Sequence, residues 1–186
     1  MSIRIIQFIR RLYYYFLSDN KINGSPIISQ PIFCSGYGSI DISNDSRIGY
    51  PKSPKFLSTY AYIEARKKNS KIIINSNTTI NNGVTIIAYR DKISIGSNCL
   101  IGVDVQIMNT DFHKIDSKDR FNNKEPSSAP IEIGNNVFIG NNVTILKGVR
   151  IGNGVTIANG SIVRSSIPEN SIYNEHKEIR LTEIIS

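Results

Sequence analysis

The stretch Ile133-Gly-Asn-Asn-Val-Phe-Ile-Gly-Asn-Asn-Val-Thr-Ile-Leu-Lys-Gly-Val-Arg-Ile-Gly152 decides the fold, because an aliphatic residue returns at every sixth position. The beat runs on through Ile157 and Val163, and backwards through Ile107, Ile101 and Ile95 to Ile86, Ile80 and Ile74. Four residues after most of these stands a small or branched partner: Thr78, Val84, Cys99, Val105, Val137, Val143, Val149, Val155, Ser161. This period fits neither an amphipathic helix nor a simple alternating strand; it marks a solenoid. An extended segment can turn its aliphatic and its small residue inward together. The corner that follows needs positive φ, which Gly and Asn supply cheaply. They crowd the expected corners, at Ser97-Asn98, Asn135-Asn136, Asn141-Asn142, Asn153-Gly154 and Asn159-Gly160. Three sides per turn give a triangular prism filled with Ile and Val. The expected coils begin near Ile74, Ile95, Ile133 and Ile151, after a partial coil at Ile42 and Ile48 that Pro51-Lys-Ser-Pro54 stops.

The beat breaks at Ile107-Met-Asn-Thr-Asp-Phe-His113, where it demands a small residue and an aliphatic and receives Asp111 and His113. Burying that pair in an aliphatic stack would cost several kcal/mol, so the chain must leave the coil there. It returns only at Ile131 or Ile133, which defines an inserted loop over residues 108–132. A loop of this length in a compact fold is usually functional. His113, at its root, is the candidate catalytic base. In extended geometry Asp111 points the same way and either orients the imidazole or caps the turn; Asn109 is a further candidate. The polar loop residues Asp116, Lys118, Asp119, Arg120, Asn122, Asn123 and Lys124 suit a hydroxyl-rich acceptor. Arg120 would meet a carboxylate or phosphate, and Asn82 is a second candidate substrate contact.

At 186 residues the chain makes one domain with a real core. Its formal net charge of +7 favours anionic partners: a phosphorylated cofactor, nucleic acid or an acidic membrane surface. No nucleic-acid motif accompanies the basic, aromatic segment Phe56–Lys71, which reads as a solvated face. Two cysteines make no disulfide framework, and a reduced cytosolic compartment follows. Two histidines do not make a three-histidine zinc site, and His176 falls in a charged tail, so no metal is expected. Neither cysteine has a reactive context, so no acyl-enzyme is expected either. Residues 1–20 form an amphipathic helix with Ile5, Ile6, Ile9, Leu12, Tyr13 and Phe16 on one face and Arg4, Arg10 and Arg11 around its edge. The segment lacks a cleavage signal and is too short to span a bilayer. The helix either caps the solenoid end or a neighbouring subunit, or lies peripherally on the inner face of a membrane. Residues 21–38 read as linker and irregular strand, 30–172 as the solenoid domain, and 173–186 as a tail.

From about Ile42 to Ile172 the sequence resembles the hexapeptide-repeat acyltransferases, and within them the sugar and polysaccharide O-acetyltransferases of the maltose, galactoside and capsule type. The resemblance rests on the 107–113 stretch with its following loop, on the run 133–152, and on the closing Gly160-Ser-Ile-Val and Ile167-Pro168. It implies an all-β, left-handed parallel β-helix, a homotrimer with sites between subunits, and acetyl-CoA as co-substrate. It implies His113 as the catalytic histidine and Phe138 beside the acetyl group. Amides near Asn141 and Asn159 would serve the thioester and the pantetheine arm, and Arg164 and Ser165 the cofactor phosphates. Where relatives often close with Gly-Asn-Pro-Ala-Lys, this chain reads Tyr173-Asn-Glu-His-Lys177, which leaves Lys177 and Arg180 as phosphate contacts. The implied activity is O-acetylation of a carbohydrate hydroxyl, on a cell-surface polysaccharide or its precursor. Rival readings are an N-acetyltransferase on an amino-sugar nucleotide, a serine acetyltransferase, and a non-catalytic β-helix scaffold.

Overall fold

The structure, a computed structural model, describes residues 3–121, 125–174 and 177–180. After one helix, α1 (Ile3–Leu17), the chain winds through three parallel sheets. Sheet A stacks Ile22–Asn23, Ser39–Ile42, Lys71–Ile74, Lys92–Ile95, Ile131–Ile133 and Arg150–Ile151. Sheet B stacks Ile27–Ile28, Arg47–Ile48, Thr79–Ile80, Leu100–Ile101, Phe138–Ile139, Thr156–Ile157 and Ser171–Asn174, and Lys177–Arg180 folds back antiparallel on the last of these. Sheet C stacks Ile32–Gly36, Ala61–Ala65, Thr85–Ala88, Gln106–Met108, Thr144–Ile145 and Ile162–Val163.

The beat is the register. Ile74, Ile95, Ile133 and Ile151 align in sheet A, Ile101 with Ile139 in sheet B, and Ile107 with Ile145 in sheet C. All are buried in one continuous core with Val84, Val105, Val137, Val143 and Cys99. Each isoleucine taken fully from water contributes roughly 1.5–3 kcal/mol. The corners carry positive φ at Asn77, Asn98, Asn136, Asn142, Gly154 and Gly160, as the Asn/Gly pattern requires. The glycine after the aliphatic residue answers to stacking distance: a Cβ on Gly140 would stand 2.7 Å from the Asn159 amide nitrogen of the next coil.

Among the described residues the prism has six full coils, two more than the beat alone predicts. The first begins at Ile22, inside the segment read as linker, and Ile22 pairs with Ile40. This first coil keeps the six-residue count at Ile22, Ile28, Cys34 and Ile40 but is a single turn punctuated by Pro26 and Pro31. The second escapes the count because its corner carries an insertion, from Tyr50 to the sheet C strand at Ala61. Asn82 grips that excursion: its Oδ1 accepts from the Tyr50 amide at 3.0 Å, and its Nδ2 donates to the Pro54 carbonyl at 2.9 Å. The Phe56–Lys71 segment is therefore only partly a solvated face, since Ala61, Ile63 and Ala65 enter the core.

Helix α1 is mounted in reverse. Its polar side meets the prism: Gln7 donates to the Phe56 carbonyl, Arg10 to Phe56 and Thr59, and Arg11 to Ile28. Tyr14 stacks on Tyr60 with ring centroids 4.6 Å apart. After the helix, Ser18 and Asn20 bond the free edge of Ile32–Gly36, closing the first coil. The apolar face predicted from the sequence exists, but no described residue covers it: Ile5, Ile9, Leu12, Tyr13 and Phe16 are all exposed.

Candidate active site

The three strands of a coil join at three corners, and the inserted loop springs from the corner between sheets C and A. Met108 ends the sheet C strand, and the chain returns at Ile131. Asn109 is fully buried at the root of the loop. Its Oδ1 accepts from the Tyr89 amide at 2.8 Å and its Nδ2 donates to the Asp91 carbonyl at 3.1 Å. The same side chain thus fixes the Tyr89–Asp91 insertion of the preceding coil. Its amide is committed to the backbone and does not face a substrate.

Beyond Asn109 the chain turns tightly instead of continuing extended. Phe112 has φ 63°, a region that a bulky residue enters only under local constraint, and the His113 amide donates to the Asp111 carbonyl at 2.7 Å. The far side of the loop holds this turn, through Asp111 N to Ser127 O at 3.2 Å and Thr110 Oγ1 to Ser127 O at 3.1 Å. The turn separates the pair expected to share a face. Asp111 forms an ion pair with Lys147, from the same corner one coil later, and does not bond the imidazole. His113 is exposed and its ring bonds no other described residue.

Several supporting groups were not assigned to the site from the sequence, where Tyr62, Arg66 and Lys67 read only as part of a solvated basic and aromatic face. Phe112 lies under the Arg66 guanidinium, 5.1 Å from ring centroid to Cζ. Arg66 forks onto the buried Glu64 carboxylate, with Nε to Oε1 at 2.6 Å. The Tyr62 hydroxyl donates to the same carboxylate at 3.0 Å. Burial first, then the Glu64 charge, pushes Tyr62 up to about 12. Glu125 pairs with Arg90 and Lys67, tying the loop's return limb to the two preceding coils. Lys147 alone had a readable signal: Gln106 aligns with Thr144 and Ile107 with Ile145, so Lys147 falls one rung beyond Asn109.

The remaining candidates lie elsewhere on the prism. Phe138 is 48 % exposed on the outer face of sheet B, in register with exposed Leu100. Asn141 and Asn159 belong to a ladder at the corner between sheets B and C. Asn141 Oδ1 accepts from the Val103 amide, and Asn159 Oδ1 from the Asn141 amide, both at 2.8 Å. The Asn141 amide is therefore spent within this ladder. Arg164 and Ser165 are exposed beyond Val163. Arg120 is exposed in the loop, its guanidinium directed back at the Ile115 carbonyl at 3.4 Å. Asn82, like Asn109, is buried and spent on backbone. His176, the side chains of Lys177 and Arg180, and residues 122–124 lie outside the described residues. Within one chain, His113 and the Asn141–Asn159 ladder thus flank opposite ends of the sheet C strands.

Burial raises both thiols, Cys34 to about 12, so neither cysteine is poised as a nucleophile. The apparatus on offer is an exposed imidazole, an apolar strip and backbone amides on a rigid frame.

Fold and repeat together define a parallel β-helix of the hexapeptide type. Residues 130–165 match the family described as bacterial transferase hexapeptide (six repeats), and residues 92–107 match the hexapeptide repeat of succinyl-transferase. Among solved structures, the polysialic acid O-acetyltransferase OatWY is 28 % identical, over 87 % of this chain and 75 % of that one, with a TM-score of 0.63. The polySia-specific acetyltransferase NeuO is 26 % identical over 86 % and 69 %, with a TM-score of 0.55. A hexapeptide-repeat acetyltransferase from Vibrio cholerae O1 biovar eltor, complexed with acetyl coenzyme A, shares the fold at 23 % identity over 96 % and 85 %, with a TM-score of 0.56. No curated protein sequence matches the chain. The chain carries the hexapeptide repeat at these residues and has the left-handed β-helix fold of the acetyltransferases to which it is similar.

Proposed function

We propose that the protein transfers an acetyl group from acetyl-CoA to a hydroxyl of a carbohydrate, a cell-surface polysaccharide or its precursor, with His113 as general base. The observation that carries this reading is an imidazole held exposed at the root of a braced loop, with no described residue competing for its nitrogens. His113 takes the proton of the acceptor hydroxyl as that oxygen attacks the thioester carbonyl carbon. Collapse of the tetrahedral intermediate breaks the C–S bond, and the imidazolium returns its proton to the departing thiolate. Asp111 acts indirectly, pinning the loop through Lys147. Asn109 and Asn82 fix the corners beside the site and take no part in proton transfer. The exposed Phe138–Leu100 strip suits the acetyl group and the pantetheine arm. Backbone amides near Asn159 serve that arm, and Arg164, Ser165 and Lys177 meet the phosphates. Arg120 contributes to acceptor binding.

His113 and the sheet B residues occupy different corners of one prism, which favours a homotrimer in which His113 of one chain faces the acetyl-CoA strip of the next. The loop's exposed Ile115 and Phe121 suit contact with that neighbour. The likeness to the polysialic acid acetyltransferases OatWY and NeuO favours a polymeric sugar acceptor.

The test is purified protein with acetyl-CoA and a panel of sugars, amino-sugar nucleotides and serine, read by thiol release and by a mass gain of one acetyl group. His113→Ala should lose about 10²–10⁴-fold in kcat. Unchanged turnover would remove His113 from the reaction, and transfer to an amine alone would replace the hydroxyl acceptor.

A further inference from the structure

An amphipathic helix on a globular domain normally turns its apolar face to the core. Helix α1 does the opposite. At 100° per residue, Gln7, Arg10 and Tyr14 share one side, and these are the residues that touch the prism. Ile5, Ile9, Leu12 and Phe16 fall on the opposite side, and Phe16 is 75 % exposed. Phe8, Tyr13 and Tyr15 flank that stripe and are also more than half exposed. Together the large side chains of α1 leave on the order of 900 Å² of mostly apolar surface to water, above the ~300–600 Å² of the largest patch on a typical monomer. A groove of about 500 Å³ opens beside the stripe, between Phe8, Leu12 and Tyr15 of the helix and Ile22, Pro26 and Ile28 of the first coil.

The charge around this face identifies its occupant. Residues 1–38 contain four cations, Arg4, Arg10, Arg11 and Lys21, and one acid, Asp19. Asp19 is turned away, accepting from the Gly36 amide at 3.1 Å and the Ser35 hydroxyl at 3.3 Å. No described carboxylate pairs with Arg10, Arg11 or Lys21; the two arginines donate to uncharged acceptors, and Lys21 sits over the Tyr15 ring at 5.0 Å. A second copy of the chain would bring the same uncompensated cations against these. Arg11 and Lys21 line the groove beside the stripe, so an anionic lipid surface neutralises them there while it takes up the apolar stripe, and Arg10 stays against the prism. Tyr13, Tyr15, Phe8 and Phe16 have the aromatic character favoured at a bilayer interface. At 15 residues the helix is about 22 Å long and must lie in the interface plane.

We infer that helix α1 is a membrane-surface anchor that docks its Ile5–Ile9–Leu12–Phe16 face onto bilayers containing anionic phospholipid. The prism is held on the α1 side of the bilayer, where it can meet lipid-linked or membrane-proximal acceptors. The anchor does not depend on the chemistry assigned to His113.

The experiment is co-sedimentation of the full chain with phosphatidylcholine vesicles, with or without phosphatidylglycerol, alongside the variants Ile9→Ser/Phe16→Ser and Lys21→Gln. Wild type should bind the anionic vesicles at least about tenfold more tightly than neutral ones, and salt should weaken the binding. Ile9→Ser/Phe16→Ser should lose binding while keeping its sedimentation mass and its acetyl transfer to a soluble acceptor. Lys21→Gln should weaken binding to anionic vesicles alone. The inference is overturned if wild type ignores anionic vesicles or if the double variant binds as well as wild type. It is equally overturned if the double variant falls to a smaller assembly, which would assign the face to a second copy. Loss of activity in His113→Ala with vesicle binding intact separates the two readings.

Discussion

Replacing Asn109 separates a structural role from a catalytic one. The side chain is fully buried and bonds the Tyr89 amide and the Asp91 carbonyl, two backbone groups of a corner insertion. Asn109→Ala leaves both without partners, and an unsatisfied buried polar group costs about 1–3 kcal/mol, so the sum is about 2–4 kcal/mol allowing for relaxation. For a chain of this size that corresponds to a fall of roughly 5–15 °C in Tm. Asn109→Asp is nearly isosteric yet carries no donor for the Asp91 carbonyl when ionised. Its carboxyl is better accommodated neutral in the folded state, so its folded pKa lies above the unfolded value. Its relative stability is then greatest at low pH and lost as pH rises through the folded pKa. The assay is urea unfolding followed by circular dichroism at fixed protein concentration, across pH 4–8, with initial rates of acetyl transfer measured beside it. If Asn109→Ala unfolds within about 0.5 kcal/mol of wild type while kcat falls a hundredfold, the clamp is wrong and Asn109 belongs to the chemistry.

Other outcomes follow from the same geometry. His113→Ala, at an exposed position, should leave Tm within about 1 °C of wild type while abolishing most transfer, so that thermal melts and rates separate. Lys147→Met and Asp111→Asn should each speed proteolysis of the loop, and a double-mutant cycle on kcat/KM should show the two effects coupled, because both remove one ion pair. Of nine tyrosines, Tyr62 should titrate late, near 12, in an absorbance titration, and Tyr62→Phe should remove that step. Since folding raises this pKa, the contribution to stability is present below about 10 and lost as pH rises towards 12. Ile139→Ala, in the middle of the stack, should cost about 2–5 kcal/mol.

From Ile74 onward the prism is legible in the residue pattern alone. A hexapeptide beat is a local rule: each strand pairs with its counterpart one turn away, and 18 residues per coil translate directly into register. It also located the expelled loop, because Asp111 and His113 could not replace buried small and aliphatic side chains. The excursion over residues 50–60 hid the second coil. The first, although six-spaced at Ile22, Ile28, Cys34 and Ile40, lies beyond that break with prolines between its rungs, so that the pairing of Ile22 with Ile40 reveals it.

The tertiary structure decided what the site residues do. Positive φ at Phe112 and the Ser127 contacts turn Asp111 to Lys147 and leave His113 alone, a partition that residue spacing does not encode. Burial converts Asn109 and Asn82 from candidate ligands into corner clamps, since an amide facing carbonyls and amides inside the fold has no bonds left to give. The helix was legible as amphipathic, but which face meets the prism was not. Periodicity gives the angle between faces, while the carbonyls at Ile28, Phe56 and Thr59, brought to one edge by winding, choose the polar one.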